Sequence, residues 1–228
     1  PITARSVDLG RVNVKTSSTP LPDGKLIVVS GPSGVGKSSV IDEVLARTGA
    51  AFSVSATTRS PRPGELDGED YWFVDHEAFS ELVASGGMLE WAEYGGYRYG
   101  TPRAPVLEML GSGRHVILDI ENDGAHQVKR SYPLATLVFL MPPSRAELEH
   151  RLRSRGDTTD QDIERRLAVA DEQILDARDF YDHLVVNDDL ESAISQVVSI
   201  LEGPATPDGN SRAFPLPDDA STTRSNTE

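Results

Sequence analysis

No cysteine occurs among the 228 residues, which excludes a disulfide framework and any thiolate-bound metal. Nothing therefore argues for an oxidising compartment, and the expected location is cytoplasmic. Long apolar runs are also missing. No stretch approaches the roughly 18 residues needed to cross a bilayer, and the polar segment from Pro1 to Pro20 lacks the apolar centre of a secretory signal. Basic residues are scarce: 22 Lys+Arg stand against 36 Asp+Glu, a formal net charge of −14. So acidic an average surface repels nucleic-acid polymers and anionic membranes, and neither is expected as a partner. At 38% hydrophobic and 25% charged, the composition is otherwise that of an ordinary globular protein. The average still leaves room for a local basic site.

The two ends differ from the middle. Residues 1–24 are rich in Ser, Thr and Pro, and residues 203–228 in Pro, Ser, Thr and Asp, with few large apolar side chains. Such segments bury too little surface to offset their ordering entropy, so both are expected to be disordered tails flanking one folded unit at 25–202. Inside that unit, Lys25–Ser30, His115–Asp119, Thr136–Met141 and Leu184–Asn187 are short apolar runs, as expected of strands buried on both faces of a parallel sheet. Helical patterns lie between them. Ser144 and Glu147 form a capping box opening a helix to about Arg155, and Ile163, Leu167, Ala170 and Ile174 mark one face of a long helix. Leu190, Ile194, Val197 and Leu201 mark the face of another. The alternation predicts an α/β fold with a parallel sheet flanked by helices. One segment departs from it. From about residue 52 to 102, short aromatic strands, a Gly95-Gly96 turn and a helix from about His76 to Ala84 behind Asp75 predict a small inserted α+β subdomain.

Directly after the first strand stands Gly31-Pro32-Ser33-Gly34-Val35-Gly36-Lys37-Ser38, a full G-x-x-x-x-G-K-[ST] motif. Its glycines let backbone N–H groups converge on phosphate oxygens, and the following helix points its positive end at them. In this pattern Lys37 reaches the β- and γ-phosphates of ATP and Ser38 ligates Mg²⁺. Asp119, ending an apolar strand, suits support of that Mg²⁺ through water. A P-loop NTPase-type core is therefore expected.

In the inserted segment, Arg59 and Arg62 lie three residues apart in a loop stiffened by Pro61 and Pro63, with Glu65 and Tyr71 close behind. Arginine forks match phosphate oxygen pairs, and a phenol adds a donor. The same residues could form a solvated basic loop. Glu90, beside Trp91, reads from its residues alone as an exposed strand position. Arg151 and Arg155 share a helix face, and Arg165 and Arg166 follow a Gly156-Asp157-Thr158-Thr159 connection; on their own these are ordinary surface arginines near Glu147 and Glu149.

Together these motifs carry a resemblance. The stretch S-x-T-T-R-x-P-R-x-G-E-x-x-G-x-D-Y-x-F, then L-E-W-A-E-Y with Y-G-T, then L-D-I-E-x-x-G, resembles guanylate kinase across the whole folded unit. The resemblance implies a nucleoside monophosphate kinase of purine nucleotide metabolism, moving the γ-phosphate of MgATP directly to GMP, and to dGMP. It puts Arg59, Arg62, Tyr71 and Tyr99 on the GMP phosphate, with Glu65 orienting the arginines. It has Ser55, Glu90, Thr101 and Glu121 reading the base. It makes residues 151–166 a lid whose Arg151, Arg155 and Arg166 act in catalysis with Lys37, and it puts Asn187 near the adenine. Guanine's N1–H and N2–H₂ donors suit carboxylates at Glu90 and Glu121, whereas adenine leaves a carboxylate unpaired. Three positions depart from the family pattern. Thr101 and Glu121 stand for a frequent Ser and Asp and keep acceptor chemistry; Asp123 stands where Gln is usual, either altering Mg²⁺ handling or facing solvent. Two rivals remain. One is a phosphopeptide-binding module of the same fold, which has no use for Gly36-Lys37-Ser38; the other is a kinase with a different nucleotide or a sugar phosphate as acceptor. Monomer and homodimer are both open.

Overall fold

A computed structural model describes residues 24–154 and 159–203, so nearly all of both expected tails, and Arg155 of the expected lid, lie outside the described residues. Five strands form one sheet: β1 (Leu26–Ser30), β2 (Ala51–Phe52), β7 (Val116–Asp119), β8 (Thr136–Met141) and β9 (His183–Val186), in the order β2-β7-β1-β8-β9. Every pairing is parallel. The runs are continuously apolar because both faces are covered. Leu26 and Val28 of β1 pack towards α3 (Arg103–Gly111), α4 (Asn122–Ser131) and α6 (Asp160–Phe180). Ile27 and Val29 point the other way, to α1 (Lys37–Thr48) and α7 (Leu190–Glu202).

Two helices and one strand had little signal. α3 carries Pro105 in its first turn, where a missing N–H costs nothing. α4 reads Asn-Asp-Gly-Ala-His-Gln-Val-Lys-Arg-Ser, and only Gly124, Ala125 and Val128 are buried along it. β2 joins the main sheet, so the inserted unit begins after Phe52. Leu190, expected on the core face of α7, is 43% exposed, and Ala193 takes its place beside Ile194, Val197 and Leu201. Leu190 is the first residue of the helix, ahead of the turn that meets the sheet.

The insertion holds a second sheet of β3 (Ala56–Thr57), β4 (Trp72–Phe73), β5 (Met88–Tyr94) and β6 (Tyr97–Pro102), in the order β4-β3-β6-β5, with α2 (His76–Ala84) packing Phe79 and Leu82 beneath it. Asp75 caps α2 by accepting from Ala78 N at 2.8 Å. Gly95 and Gly96 have φ of 61° and 80°, as the two-residue type I′ turn of the β5–β6 hairpin demands. The free edge of β5 is closed by Gln127 of α4: Trp91 N donates to Gln127 Oε1 at 3.1 Å, and Gln127 Nε2 donates to Trp91 O at 2.9 Å. That pair ties the insertion to the main unit.

α5 (Arg145–Arg153) opens where expected, with Ser144 Oγ accepting from Glu147 N at 3.1 Å. The return bond of a capping box is replaced, since the Glu147 carboxylate accepts from Arg151 Nε at 2.8 Å. Ser144→Ala is expected to lower the unfolding free energy by about 1 kcal/mol, read by urea denaturation; no change would show that packing of Leu148 and Leu152 alone holds this helix.

Candidate functional site

The glycine-rich loop joins the buried end of β1 to the N-terminus of α1. Gly36, at φ 98°, is the left-handed residue that starts the helix, and a Cβ there would lie 2.7 Å from Asn187 Nδ2. Gly34, at φ 89°, would bring a Cβ within 2.9 Å of Leu152 Cδ2. Both positions therefore require glycine on two grounds, conformation and space. Gly31, Pro32 and Val35 are buried, while Ser33 and Ser38 are exposed. The loop is held from below. Asn187, buried at the end of β9, donates from Nδ2 to Val35 O at 2.8 Å, so its side-chain amide is engaged with the loop itself.

Cations surround this loop. Lys37 Nζ donates to Gly31 O at 2.6 Å, folding its stem back across the turn. Arg151 of α5 donates from Nη1 to Asn187 O at 3.1 Å and to Val35 O at 3.4 Å, while Glu147 holds its Nε. Arg166 of α6 lies at the limit of hydrogen bonding, Nη1 being 3.5 Å from Ser33 Oγ. Three positive side chains from three helices thus converge on one glycine-rich loop at a helix N-terminus, an arrangement that suits an anion.

Asp119 ends β7 in register with Val29, one residue short of the end of β1. Burial pushes its carboxyl above the usual range, the nearby Lys37 charge opposes that shift, and Glu121 adds to it. Among the described residues no group of three or more His, Cys, Asp or Glu could hold a metal ion. A single hydroxyl at Ser38 and a single carboxylate at Asp119 fit a hard cation that brings phosphate and water ligands of its own.

A second cluster lies in the insertion. Glu65 grips the Arg59 guanidinium with both oxygens, at 2.8 and 2.9 Å, and also accepts from Arg62 N at 2.7 Å. Hydrogen bonds from Arg59 and from the Arg62 backbone hold the Glu65 carboxyl down at about 2. Arg59 sits 5.4 Å over the Tyr71 ring, and Tyr71 meets Tyr99 edge-on with centroids 6.1 Å apart. Arg59, Glu65, Tyr71 and Tyr99 are therefore one assembly, joined by Arg62 through its backbone; the Arg62 residue itself is exposed.

Glu90 differs from its residue-level reading. It is 7% exposed rather than a surface strand position, because β5 runs beneath α4 there. Thr101 Oγ1, itself 1% exposed, donates to Glu90 Oε1 at 2.6 Å. The other oxygen faces Gly124, where a Cβ would stand 3.1 Å from Oε2. Burial raises the Glu90 carboxyl pKa, with the Thr101 bonds opposing the shift. Ser55 is half-buried just before β3, its backbone O accepting from Trp72 N at 2.9 Å. Glu121 is the N-cap residue of α4 and is exposed, and its Oε2 accepts from Gln173 Nε2 at 2.6 Å. Asp123, in the first turn of α4, is exposed at the helix end that favours negative charge.

Gly124, Gln127 and Gln173 touch or brace this site and were not among the expected residues. Gly124 had a signal, as the last residue of the L-D-I-E-x-x-G stretch that carries the resemblance; the two glutamines had none.

A family model described as guanylate kinase matches residues 23–203. The guanylate kinase of Thermosynechococcus vestitus is 51% identical over 191 residues, covering 83% of this chain and 99% of its own. That of a Thermus thermophilus strain is 51% identical over 178 residues, covering 78% and 80%. Among solved structures, the guanylate kinase of Anaplasma phagocytophilum superposes with a TM-score of 0.59 at 34% identity, covering 78% of this chain and 84% of its own. A parallel sheet with a glycine loop after its central strand, a family model matched over residues 23–203 and curated relatives matched over 80% or more of their own length agree: the chain belongs to the guanylate kinase family.

Proposed function

We propose that this protein catalyses ATP + GMP ⇌ ADP + GDP, takes dGMP as well, and serves purine nucleotide metabolism, with residues 53–102 as the acceptor-binding insertion and 151–166 as the lid. A cytoplasmic setting agrees with the lack of cysteine, and no helix among the described residues is long and apolar enough to cross a membrane. The observation that carries the reading is the buried Glu90–Thr101 pair beside the Arg59–Glu65 fork. The Glu90 carboxylate, held in place by Thr101, is an acceptor, and guanine's N1–H and N2–H₂ are the matching donors. Glu121 offers a second acceptor to the same edge, and the Ser55 hydroxyl a donor to O6. Arg59, Arg62, Tyr71 and Tyr99 hold the 5′-phosphate, with Glu65 fixing the angle of the fork.

On the other side, the loop from Gly31 to Gly36 wraps the ATP phosphates, and Asn187 braces it below the adenine. Lys37 exchanges its bond to Gly31 O for phosphate oxygens. Ser38, and Asp119 through water, would hold a Mg²⁺ that arrives with ATP, and the ion would supply positive charge against the phosphates. A 5′-phosphate oxygen of GMP attacks the γ-phosphorus in line, the bond to the ADP oxygen breaks, and no protein nucleophile takes part. Lys37, Arg151, Arg155 and Arg166 balance the charge on the equatorial oxygens and exclude water as the lid closes. A phosphopeptide-binding module needs the arginine fork but not the lysine of the glycine loop.

The test is product identification by ³¹P NMR. With MgATP and GMP, ADP and GDP are expected in equal amounts; EDTA in excess of Mg²⁺ is expected to stop turnover and added Mg²⁺ to restore it. ATP hydrolysis without GDP would reject the reading. A second expectation concerns Gly124. Because a methyl there crowds Glu90 Oε2 at 3.1 Å, Gly124→Ala is expected to raise the KM for GMP severalfold while the KM for ATP stays unchanged. Equal changes in both would assign Gly124 to helix packing.

The Glu65 carboxyl gives a pH expectation. Its folded pKa is lowered from 4.5 to about 2, so its pairing with Arg59 contributes fully above the unfolded value and is lost as pH falls through the folded one. Any weakening of GMP binding between pH 6 and 5 must then persist in Glu65→Gln; its disappearance there would show that Glu65 titrates in that range.

A further inference from the structure

The carboxylate of Glu121 is placed oddly for its position. It occupies the N-cap of α4, yet its side chain makes no cap bond. Instead Oε2 takes a 2.6 Å bond from Gln173 Nε2 of α6, which leaves Oε1 for another donor. The helix backbone that carries Gln173 is itself held in place. Asn122 Nδ2 donates to Gln173 O at 3.1 Å and to Asp176 Oδ2 at 2.8 Å, and His126 Nε2 lies 3.0 Å from Asp176 Oδ1. The His126 ring stacks on Phe180 at 3.6 Å between centroids, locking this turn of α6 onto α4. Seven residues earlier, about two helical turns and so on the same face, Arg166 lies 3.5 Å from Ser33 Oγ of the glycine loop.

We infer that Gln173 is a positioning residue that holds Glu121 ready for the guanine donor edge, and through it a determinant of base selectivity. The inference rests on the reading that Glu121 faces guanine. An exposed glutamate samples many rotamers, and ordering them on binding costs affinity; a single amide bond to one oxygen settles that order in advance. The same rigid helix reaches the phosphate loop through Arg166, so a loose α6 would disturb both substrates, whereas loss of the Gln173 donor disturbs one.

That difference makes the test. Gln173→Met keeps length and helix propensity and deletes the donor. In the full chain it is expected to raise the KM for GMP about 10-fold, the scale of a lost hydrogen bond to a charged group, with the KM for ATP and kcat unchanged. Selectivity for GMP over AMP is expected to fall by the same factor. On a Glu121→Gln background the same change is expected to add less than about twofold, because the coupling is to Glu121. A KM for GMP like wild type, an equal loss in both backgrounds, or a KM for ATP rising in step would each overturn the inference. So would Glu121→Gln with an unchanged KM for GMP, while a loss of selectivity in Glu90→Gln would leave the kinase reading standing. A wild-type protein that does not phosphorylate GMP overturns both.

Discussion

Replacing Lys37 by alanine is expected to lower kcat by roughly 10³-fold at saturating MgATP and GMP, the scale at which removal of one preorganised donor acts. The folded protein should hardly notice. Among the described residues Nζ makes one hydrogen bond, to Gly31 O, and the side chain is half-buried at the mouth of the loop. The unfolding free energy is expected to fall by no more than about 1 kcal/mol, the worth of that hydrogen bond. The loop would keep its shape, since Gly34 and Gly36 are set by φ and by Leu152 and Asn187, not by the lysine. The loss should fall on kcat more than on the KM for ATP, because the charge on the γ-oxygens is engaged most strongly during transfer. A mutant with wild-type turnover would remove Lys37 from the chemistry.

The second large effect concerns Glu90, and it has two opposite signs. Glu90→Gln keeps an oxygen for the Thr101 hydroxyl but loses the charge and one acceptor face. The kcat/KM for GMP is expected to fall by about 10²-fold, within the range for a lost hydrogen bond to a charged group, while the KM for ATP is unchanged. The preference for GMP over AMP should shrink with it, since the amide no longer penalises adenine as a buried carboxylate does. Stability should move the other way. Burial raises the folded pKa of Glu90 above its unfolded value of 4.5. The folded state therefore binds the proton more tightly, and stability falls as pH rises from that value through the folded pKa. Above this window the charge opposes folding, so the glutamine variant is expected to be more stable at neutral pH by on the order of 1 kcal/mol. In wild type, GMP binding should weaken as pH falls through the raised value, and Glu90→Gln should lack that limb. A variant less stable than wild type at pH 8, or one that retains full preference for GMP, would contradict the assignment.

How much of this could be read from residues varies with the distance over which each feature is determined. Strands such as Thr136–Met141 appear with the limits of their apolar run, because both faces are buried and nothing else in the chain looks like them. Helix α2 also begins where Asp75 says it should, a local signal read locally. α3 and α4 escaped because tertiary contacts make them: α4 has a glycine, an asparagine and a histidine in ten residues and is stabilised by what packs on it. The same holds within the site. The glycine loop is a contiguous motif and needs no partner to be seen. The burial of Glu90 depends on α4, more than thirty residues away, and on its own residues it resembles any exposed strand position. Gln173 and Gln127 act through single amide bonds across the fold, which no spacing rule encodes.

The acidic average was equally local in its reach. A formal charge of −14 describes the surface as a whole, while Lys37, Arg151 and Arg166 gather at one loop and Arg59 stands in the other cluster, fixed by Glu65. The average charge therefore conceals a local concentration of cations at the glycine loop.

The most direct measurement is ADP release with MgATP against GMP, dGMP, AMP, UMP and dTMP in turn, each as kcat/KM. A paired acceptor edge at Glu90 and Glu121 predicts rapid turnover with GMP and dGMP and at least about 10²-fold lower kcat/KM with the other three. AMP or a pyrimidine nucleotide used as well as GMP would contradict the account.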